Sequence, residues 1–165
     1  MKFLRFLIIM GCVVGTCASA AAIDNRVRFE ADLGGGWYNK EGDIHSNYAG
    51  AIGASFQASE PLSFETRILY QPIDSDQYFF VLPGVRYRFT NADFFMTPSL
   101  DFHGGILIPS GHKRDVDGLV GMGGMLLYRT RWGVEFGPEV SANSVFEGPH
   151  VALWVNYMGV VRFNF

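Results

Sequence analysis

Residues 26–33 read RVRFEADL. Charged residues occupy every second position, at Arg26, Arg28, Glu30 and Asp32, and apolar residues fill the positions between them. Because successive side chains of a β-strand point to opposite faces, this alternation predicts a strand with one charged face and one apolar face.

The same period of two recurs in later segments that are separated by short polar or Gly- and Pro-containing stretches. Eight strands are predicted, over about residues 26–37, 48–59, 62–71, 78–89, 94–108, 119–130, 132–142 and 150–165. In the glycine-rich sixth strand, Arg129 is assigned to the charged face. No charge then falls on the apolar face of any strand. If charges were placed on the two faces at random, this agreement would arise with roughly one chance in sixty-four.

The composition excludes several classes of protein. The chain has 165 residues, of which 48% are hydrophobic and 15% aromatic, and its 15 phenylalanines outnumber its 13 lysines and arginines. This length favours one domain, and the composition excludes a disordered tail and a nucleic-acid-binding protein. The mean hydropathy of +0.13 is high for a water-soluble domain but too low for a helical membrane protein.

The first 22 residues read as a cleavable signal peptide. Lys2 and Arg5 precede an apolar run, and small residues follow it, so that cleavage after Ala20 or Ala22 satisfies the small-x-small rule. The alternative is a lipoprotein anchored through Cys12. The mature chain is expected to cover residues 23–165, and it contains no apolar run of the roughly 20 residues that a membrane helix needs.

The two faces of the strands indicate where the protein resides. A soluble sandwich or soluble barrel would carry its charges outside and its apolar side chains inside. Here the apolar face is large and aromatic, so the charged face is expected to be enclosed. Lipid is the solvent that tolerates an apolar exterior, and strands can cross lipid only as a closed barrel.

The carboxy-terminal strand ends in a row of apolar residues on one face, Tyr157, Val161, Phe163 and Phe165. With the signal peptide and the eight alternating segments, this row resembles the small eight-stranded outer-membrane barrels of Gram-negative bacteria, of the OmpA, OmpX and opacity-protein type. The resemblance covers residues 23–165 and implies an all-β, eight-stranded antiparallel transmembrane β-barrel in the bacterial outer membrane. It also implies that the row is an assembly signal for the barrel-assembly machinery. A monomer in contact with outer-membrane lipid and lipopolysaccharide is expected.

Periplasmic termini, as in the resembling family, predict the topology. The turns near Glu60-Pro61, Asn91-Ala92 and Thr130-Arg131 are then periplasmic. The longer connections face outward, over about residues 38–47, 72–77, 109–118 and 143–149.

Charged side chains are expected to fill the inside of this barrel. An eight-stranded barrel is just wide enough for side chains, so Arg–carboxylate pairs would close it and leave no open channel. The predicted lumen network comprises Arg26, Arg28, Glu30, Asp32, Glu65, Arg67, Arg86, Arg88, Asp101, His103, Arg129, Glu135, Glu139 and Arg162. Basic and acidic residues nearly cancel in this set.

The outer half of the lumen is predicted to be small and apolar. Its lining residues are Gly34, Gly36, Ala49, Ala51, Gly53, Phe80, Leu82, Gly105, Gly121, Gly123 and Trp154. Among them, Phe80, Leu82 and Trp154 form a candidate pocket for a small hydrophobic molecule. Two functions stay open: a plugged structural or surface-interaction barrel, which is favoured, and a barrel that binds or transports such a molecule.

An enzyme is the third and least favoured interpretation. His45-Ser46-Asn47 is similar to the His-x-Ser-Asn signature of lipid A deacylase barrels, but adjacent residues of a strand project to opposite faces. Asp101 and His103 share a face, yet no nucleophile is placed beside them. The histidines lack metal-ligand spacing, so no catalytic residue, metal or cofactor is predicted.

Overall fold

The eight predicted strands form one closed barrel. The computed structural model describes residues 27–40, 42–73, 76–90, 95–110 and 115–164. Each strand pairs antiparallel with its neighbours in sequence, and β1 closes the barrel by pairing with β8. The strands are β1 (Val27–Lys40), β2 (Asp43–Gln57), β3 (Leu62–Ile73), β4 (Asp76–Arg88), β5 (Met96–Ser110), β6 (Asp117–Arg129), β7 (Val134–Glu147) and β8 (His150–Asn164). The predicted fold class, an eight-stranded antiparallel barrel, is confirmed.

The predicted phase of the strands is confirmed as well. In β6, Val120 and Met122 are exposed while Leu119 and Met125 are buried. The apolar face of the other strands points outward, and large side chains such as Phe64 are half exposed there. No described helix is long and apolar enough to cross a membrane.

The barrel has two distinct rims. The terminal rim is the end at which β1 begins and β8 ends, and it also carries the turns at residues 58–61 and 130–133. The opposite rim, here called the loop rim, carries the connections after β1, β3, β5 and β7. Which rim faces the periplasm follows from the placement of the chain ends, and this stays an expectation from the family resemblance.

The connections at the loop rim are shorter than expected. β1 and β2 pair up to Lys40 and Asp43, and β7 and β8 pair up to Glu147 and His150. The two predicted loops at 38–47 and 143–149 are therefore mostly strand. Glycines with positive φ, Gly42 and Gly148, occupy the resulting tight turns.

Several predicted boundaries lie elsewhere in the structure. Trp132, predicted in the seventh strand, lies in the turn before β7 and is 89% exposed. The turn at Glu60-Pro61 is present as predicted, whereas Asn91-Ala92 lies outside the described residues. The signal peptide at residues 1–22 also lies outside them and stays a prediction.

Candidate functional site

Inward-facing charges from six strands meet in the half of the lumen nearer the terminal rim, here called the charged half. Its buried members are Glu30, Asp32, Glu65, Arg67, Arg86, Asp101, Glu135, Glu139 and Arg162. They alternate along their strands with lipid-facing apolar residues, which is why a period of two places them all inside. Two glycines predicted for the outer half, Gly53 and Gly123, lie instead against this charged half, beside Arg67 and Asp101.

Arg67 lies at the centre of the charged half. Its guanidinium donates a hydrogen bond to Glu139 and lies 3.5 Å from Asp101 Oδ2 and 3.6 Å from Asp32 Oδ2. A fourth carboxylate, that of Glu30, is 3.7 Å from Arg67 Nε. One cation therefore holds together carboxylates from β1, β5 and β7, across the barrel.

Glu30 is the second junction of the charged half. Its Oε2 accepts hydrogen bonds from Arg86 Nη1 at 2.9 Å and from Arg162 Nη2 at 2.7 Å. Arg86 also lies 2.7 Å from Glu65 through its other terminal nitrogen. Each of these buried charges thus lies beside an opposite charge, as burial in a low-dielectric interior requires.

The terminal rim closes the charged half with partly exposed pairs. Arg88 donates two hydrogen bonds to Glu135, at 2.8 and 3.1 Å, and Arg28 donates one to Gln57. Arg129 was predicted to belong to the enclosed network. The structure corrects this prediction, because Arg129 is exposed at the end of β6. Glu135, which lies opposite Arg129 in the ladder, is already occupied by Arg88 and Arg162. The predicted member Arg26 lies outside the described residues.

Asp101 connects the network to a buried histidine. His103 Nδ1 lies 2.9 Å from Asp101 Oδ2, and His103 Nε2 lies 2.6 Å from Asn143 Oδ1. Both ring nitrogens therefore face polar partners, and neither faces a hydroxyl. A Ser–His–Asp type of activation needs the second nitrogen free for a nucleophile, and this arrangement does not provide it.

Aromatic and aliphatic side chains fill the other half of the lumen, here called the aromatic half. Trp154 is fully buried, and its ring centroid lies 4.4 Å from that of Tyr38, 4.9 Å from Phe80 and 5.2 Å from Tyr78. The buried aliphatic members are Ala49, Ala51, Leu69, Ile73, Leu82, Leu107, Leu119, Val145, Ala152 and Met158. Ala49, Ala51, Phe80, Leu82 and Trp154 lie here as predicted, and the larger residues beside them were not part of the predicted lining.

This packing corrects the predicted pocket. Phe80, Leu82 and Trp154 come together as expected. However, each is 2% exposed or less, and all three belong to one buried apolar cluster. The rings of Tyr38 and Tyr78 pack against Trp154. The three residues form part of a core to which inward-facing residues beyond the predicted strand ends, such as Tyr38 and Ile73, also contribute.

Two polar amides lie within the aromatic half, Gln71 between Leu69 and Ile73 on β3 and Asn156 between Met158 and Trp154 on β8. Gln71 and Asn156 are fully buried, and neither side chain has a hydrogen-bond partner among the described residues. Both amides lie against Gly36, so closely that a Cβ at this position would contact Asn156 Oδ1 and the Gln71 amide. Because Gly36 has no side chain, both amides fit into the space beside it.

Some lumen residues were missed by the sequence interpretation, and Tyr38 and Asn143 are the two with specific contacts. Tyr38 and Asn143 were assigned to loops, but they lie on β1 and β7 and contact Trp154 and His103. The alternation of Ser141, Asn143 and Val145 continues the inward face of β7, and this signal was available in the sequence.

The remaining candidate residues lie on the surface or outside the described part of the chain. His45 and Ser46 lie in β2 rather than in a loop, with Ser46 exposed and His45 half-buried near Tyr38. On the terminal row, Tyr157 and Val161 are exposed toward lipid and Phe163 is half-buried, while Phe165 is not among the described residues. The described residues include no group of His, Cys, Asp and Glu suited to a metal ion.

Comparison with known proteins shows the fold. No family model and no curated protein sequence matches the chain. Neisserial surface protein A (NspA) aligns with a TM-score of 0.72 and 14% identity, over 84% of this chain and 97% of that one. The outer membrane enzyme PagL aligns with a TM-score of 0.56 and 14% identity, over 84% and 99% of the two chains. The N-terminal β-barrel domain of Pseudomonas aeruginosa OprF aligns with a TM-score of 0.55 and 13% identity, over 82% and 97%.

These likenesses confirm, at the level of the fold, the resemblance to small eight-stranded outer-membrane barrels. The three proteins differ from one another in function, since one of them is an enzyme. The shared barrel therefore does not determine what this chain does.

Proposed function

We propose that the protein is a monomeric outer-membrane barrel with a sealed lumen, which serves a structural or surface-interaction role and does not conduct. The observation that carries this proposal is the filling of the lumen by the charged half and the aromatic half in series. Ion transport through a barrel needs a continuous wet path. Neither half offers one, because paired guanidinium groups fill the first and packed rings fill the second.

A sealed lumen leaves the outside of the barrel as the working surface. The exposed apolar side chains of the strands would lie in lipid, and the short connections of the loop rim would meet lipopolysaccharide and other surface molecules. Aromatic residues flank this apolar band, as is usual where barrels meet the headgroup region; Tyr48 and Tyr70 lie near the loop rim and Tyr87 and Phe89 near the terminal rim.

The likeness to PagL does not lead us to propose an enzyme. His45 and Ser46 alternate on β2, so they project to opposite sides of the wall. His103 is buried in the lumen with Asp101 and Asn143 on its two nitrogens. At His103 both ring nitrogens thus face an acid and an amide and not a hydroxyl that the imidazole could activate.

Planar-bilayer current tests the proposal directly. We expect the wild-type barrel to show no steady conductance. Replacing Arg86 by Ala removes a side chain that lies between Glu30 and Glu65, but the packed rings of the aromatic half remain in series, so this variant should also show no steady conductance. Arg129→Ala is the matched control, because it removes the same charge from the exposed rim. Sizeable steady conductance in the wild type would refute the sealed lumen and favour a transport barrel.

The proposed role of the barrel-assembly machinery has its own test. Deleting Phe165 should impair assembly in cells far more than it alters a barrel that is already folded. A terminal side chain buries only modest area in lipid, of the order of 1.5–3 kcal/mol, yet it completes the row with Phe163 and Val161. Surface abundance in cells, compared with the urea resistance of the refolded protein, separates the two effects. Equal abundance of the deletion variant and the wild type would contradict the assembly signal.

A further inference from the structure

A group of four uncharged polar side chains in the lumen carries atoms that have no hydrogen-bond partner among the described residues. We call this group the polar cluster, and its members are Gln71, Asn143, Trp154 and Asn156. Each member is 1% exposed or less, so bulk solvent does not reach it. The unpaired atoms are Gln71 Nε2 and Oε1, Asn156 Nδ2 and Oδ1, Asn143 Nδ2 and Trp154 Nε1. Buried polar atoms left in this state oppose folding, and in native proteins nearly all of them are satisfied.

The strand register places the members of the polar cluster beside one another. Asn143 of β7 and Trp154 of β8 are directly paired in the ladder, and Asn156 follows Trp154 on the same buried face. Directly paired residues have Cβ atoms about 5 Å apart, and diagonal neighbours such as Asn143 and Asn156 about 7–8 Å. Gln71 reaches Asn156 from β3, because a Cβ at Gly36 would contact Asn156 Oδ1 and would lie 2.8 Å from Gln71 Nε2.

The polar cluster is also connected to the charged half. Asn143 Oδ1 lies 2.6 Å from His103 Nε2, and His103 Nδ1 lies 2.9 Å from Asp101. This contact engages the oxygen of the Asn143 amide and leaves its Nδ2 unpaired. Gly121 lies against the same contact, as Gly36 lies against the other two amides, so glycine makes room at both ends of the cluster.

The unpaired atoms define the chemistry of the ligand that would satisfy them. Four are N–H donors and two are carbonyl oxygens, so the ligand must both accept and donate hydrogen bonds. None of the four side chains is charged, which disfavours an ion. The rings of Tyr38, Tyr78 and Phe80 pack around Trp154 and leave little volume for an organic molecule. Water meets all three conditions.

We propose that the polar cluster binds water molecules that are enclosed in the lumen. A buried water makes about three hydrogen bonds to otherwise unsatisfied polar groups, so about two molecules would serve the six atoms. Packed rings lie on one side of this site and paired charges on the other, so the bound water is isolated and forms no continuous path. The water bridges would join side chains of β3, β7 and β8 across the barrel.

Nuclear magnetic resonance of the refolded, isotope-labelled barrel in detergent tests this site. We expect nuclear Overhauser cross-peaks at the water frequency, with the sign of long-lived bound water, on the side-chain N–H protons of Gln71, Asn156 and Trp154. Asn156→Leu removes two of the six atoms and should reduce the water cross-peak of Gln71 to less than half. Gln57→Leu is the matched control, because it removes an amide at the terminal rim, and it should leave the lumen cross-peaks unchanged.

The wild-type spectrum decides the proposal even if a variant fails to fold. Cross-peaks between the amides of Gln71 and Asn156 without any to water would overturn it, since the two amides would then bond directly to each other. Short-lived water signals would overturn it too, because they indicate exchange with bulk solvent. A steady bilayer current is a separate measurement, so the sealed lumen and the water site can fail separately.

Discussion

Buried side chains fill both halves of the lumen, but different interactions hold them together. The charged half is held by directional contacts, in which Arg67 alone faces Glu139, Asp101 and Asp32. The aromatic half is held by the close packing of large apolar side chains, with the ring of Trp154 against Tyr38 and Phe80. Losing one partner strands a charge in the first half, whereas it leaves only a space in the second.

This difference has a consequence for how each half tolerates change. An aromatic core can be refilled by another apolar side chain of similar size. A buried ion network cannot, because its carboxylates depend on particular nitrogens, as Glu30 does on Arg162 Nη2 at 2.7 Å. The four variants below test this contrast, beginning with the largest expected loss of stability.

Arg67→Ala should cost the most. It leaves the buried carboxylates of Glu139, Asp101 and Asp32 without their shared cation, and breaking a buried pair commonly costs about 3–5 kcal/mol. We expect about 5 kcal/mol here, measured as the free energy of unfolding in urea from lipid vesicles. A loss below about 1 kcal/mol would indicate that water already enters the charged half.

Trp154→Ala should cost about 3–4 kcal/mol, since it opens a cavity among Tyr38, Tyr78 and Phe80. The same urea titration measures this loss. Trp154→Phe is the informative companion, because an apolar ring should recover most of the stability if volume alone matters. An equal loss for Phe and Ala would show that the aromatic half is as specific as the charged half.

Gly36→Ala tests the polar amides of the aromatic half, and we expect a cost of about 1–3 kcal/mol from overpacking. Its Cβ would meet the buried amides of Asn156 and Gln71. Gly50→Ala is the matched control, since the nearest atom to a Cβ there is 3.7 Å away and the position faces lipid. Unfolding free energies that fall equally for both variants would mean that strand glycines matter for the backbone and not for the amides.

Arg88→Ala should have the smallest effect, about 1 kcal/mol. Its two hydrogen bonds to Glu135 are shorter than some of those made by Arg67, but its side chain is 14% exposed at the rim. Water can replace the lost donor there, and Arg162 remains near Glu135. A cost as large as that of Arg67→Ala would show that the rim is as dry as the centre.

Much of the lumen was predictable because the period of two assigns each residue to a face. Glu30, Arg86 and Arg162 come from strands far apart in sequence, yet all three lie inside as their alternation predicted. Arg129 was assigned inward by the same rule and is exposed, because it is the last residue of β6 and the lumen opens to solvent there. The alternation assigns the face of a residue but not its distance from a rim.

The strand ends at the loop rim were less predictable. Beyond the membrane the outward face no longer has to be apolar, so the signal fades while the hydrogen-bonded ladder continues. Residues 43–47 are polar enough to resemble a loop, yet Asp43 pairs with Lys40 and His45 with Tyr38. Tyr38 was missed for this reason, and with it the ring that packs on Trp154.

The number of strands, the face of each residue and the enclosure of the charges were predictable from the amino-acid sequence, since all three follow from alternation along single strands. The sequence did not reveal which carboxylate each arginine contacts or that Phe80, Leu82 and Trp154 form a packed core, because these contacts cross the barrel. The curvature of the wall and the register between strands place Arg67 of β3 against Glu139 of β7, and no local pattern in the chain encodes that distance.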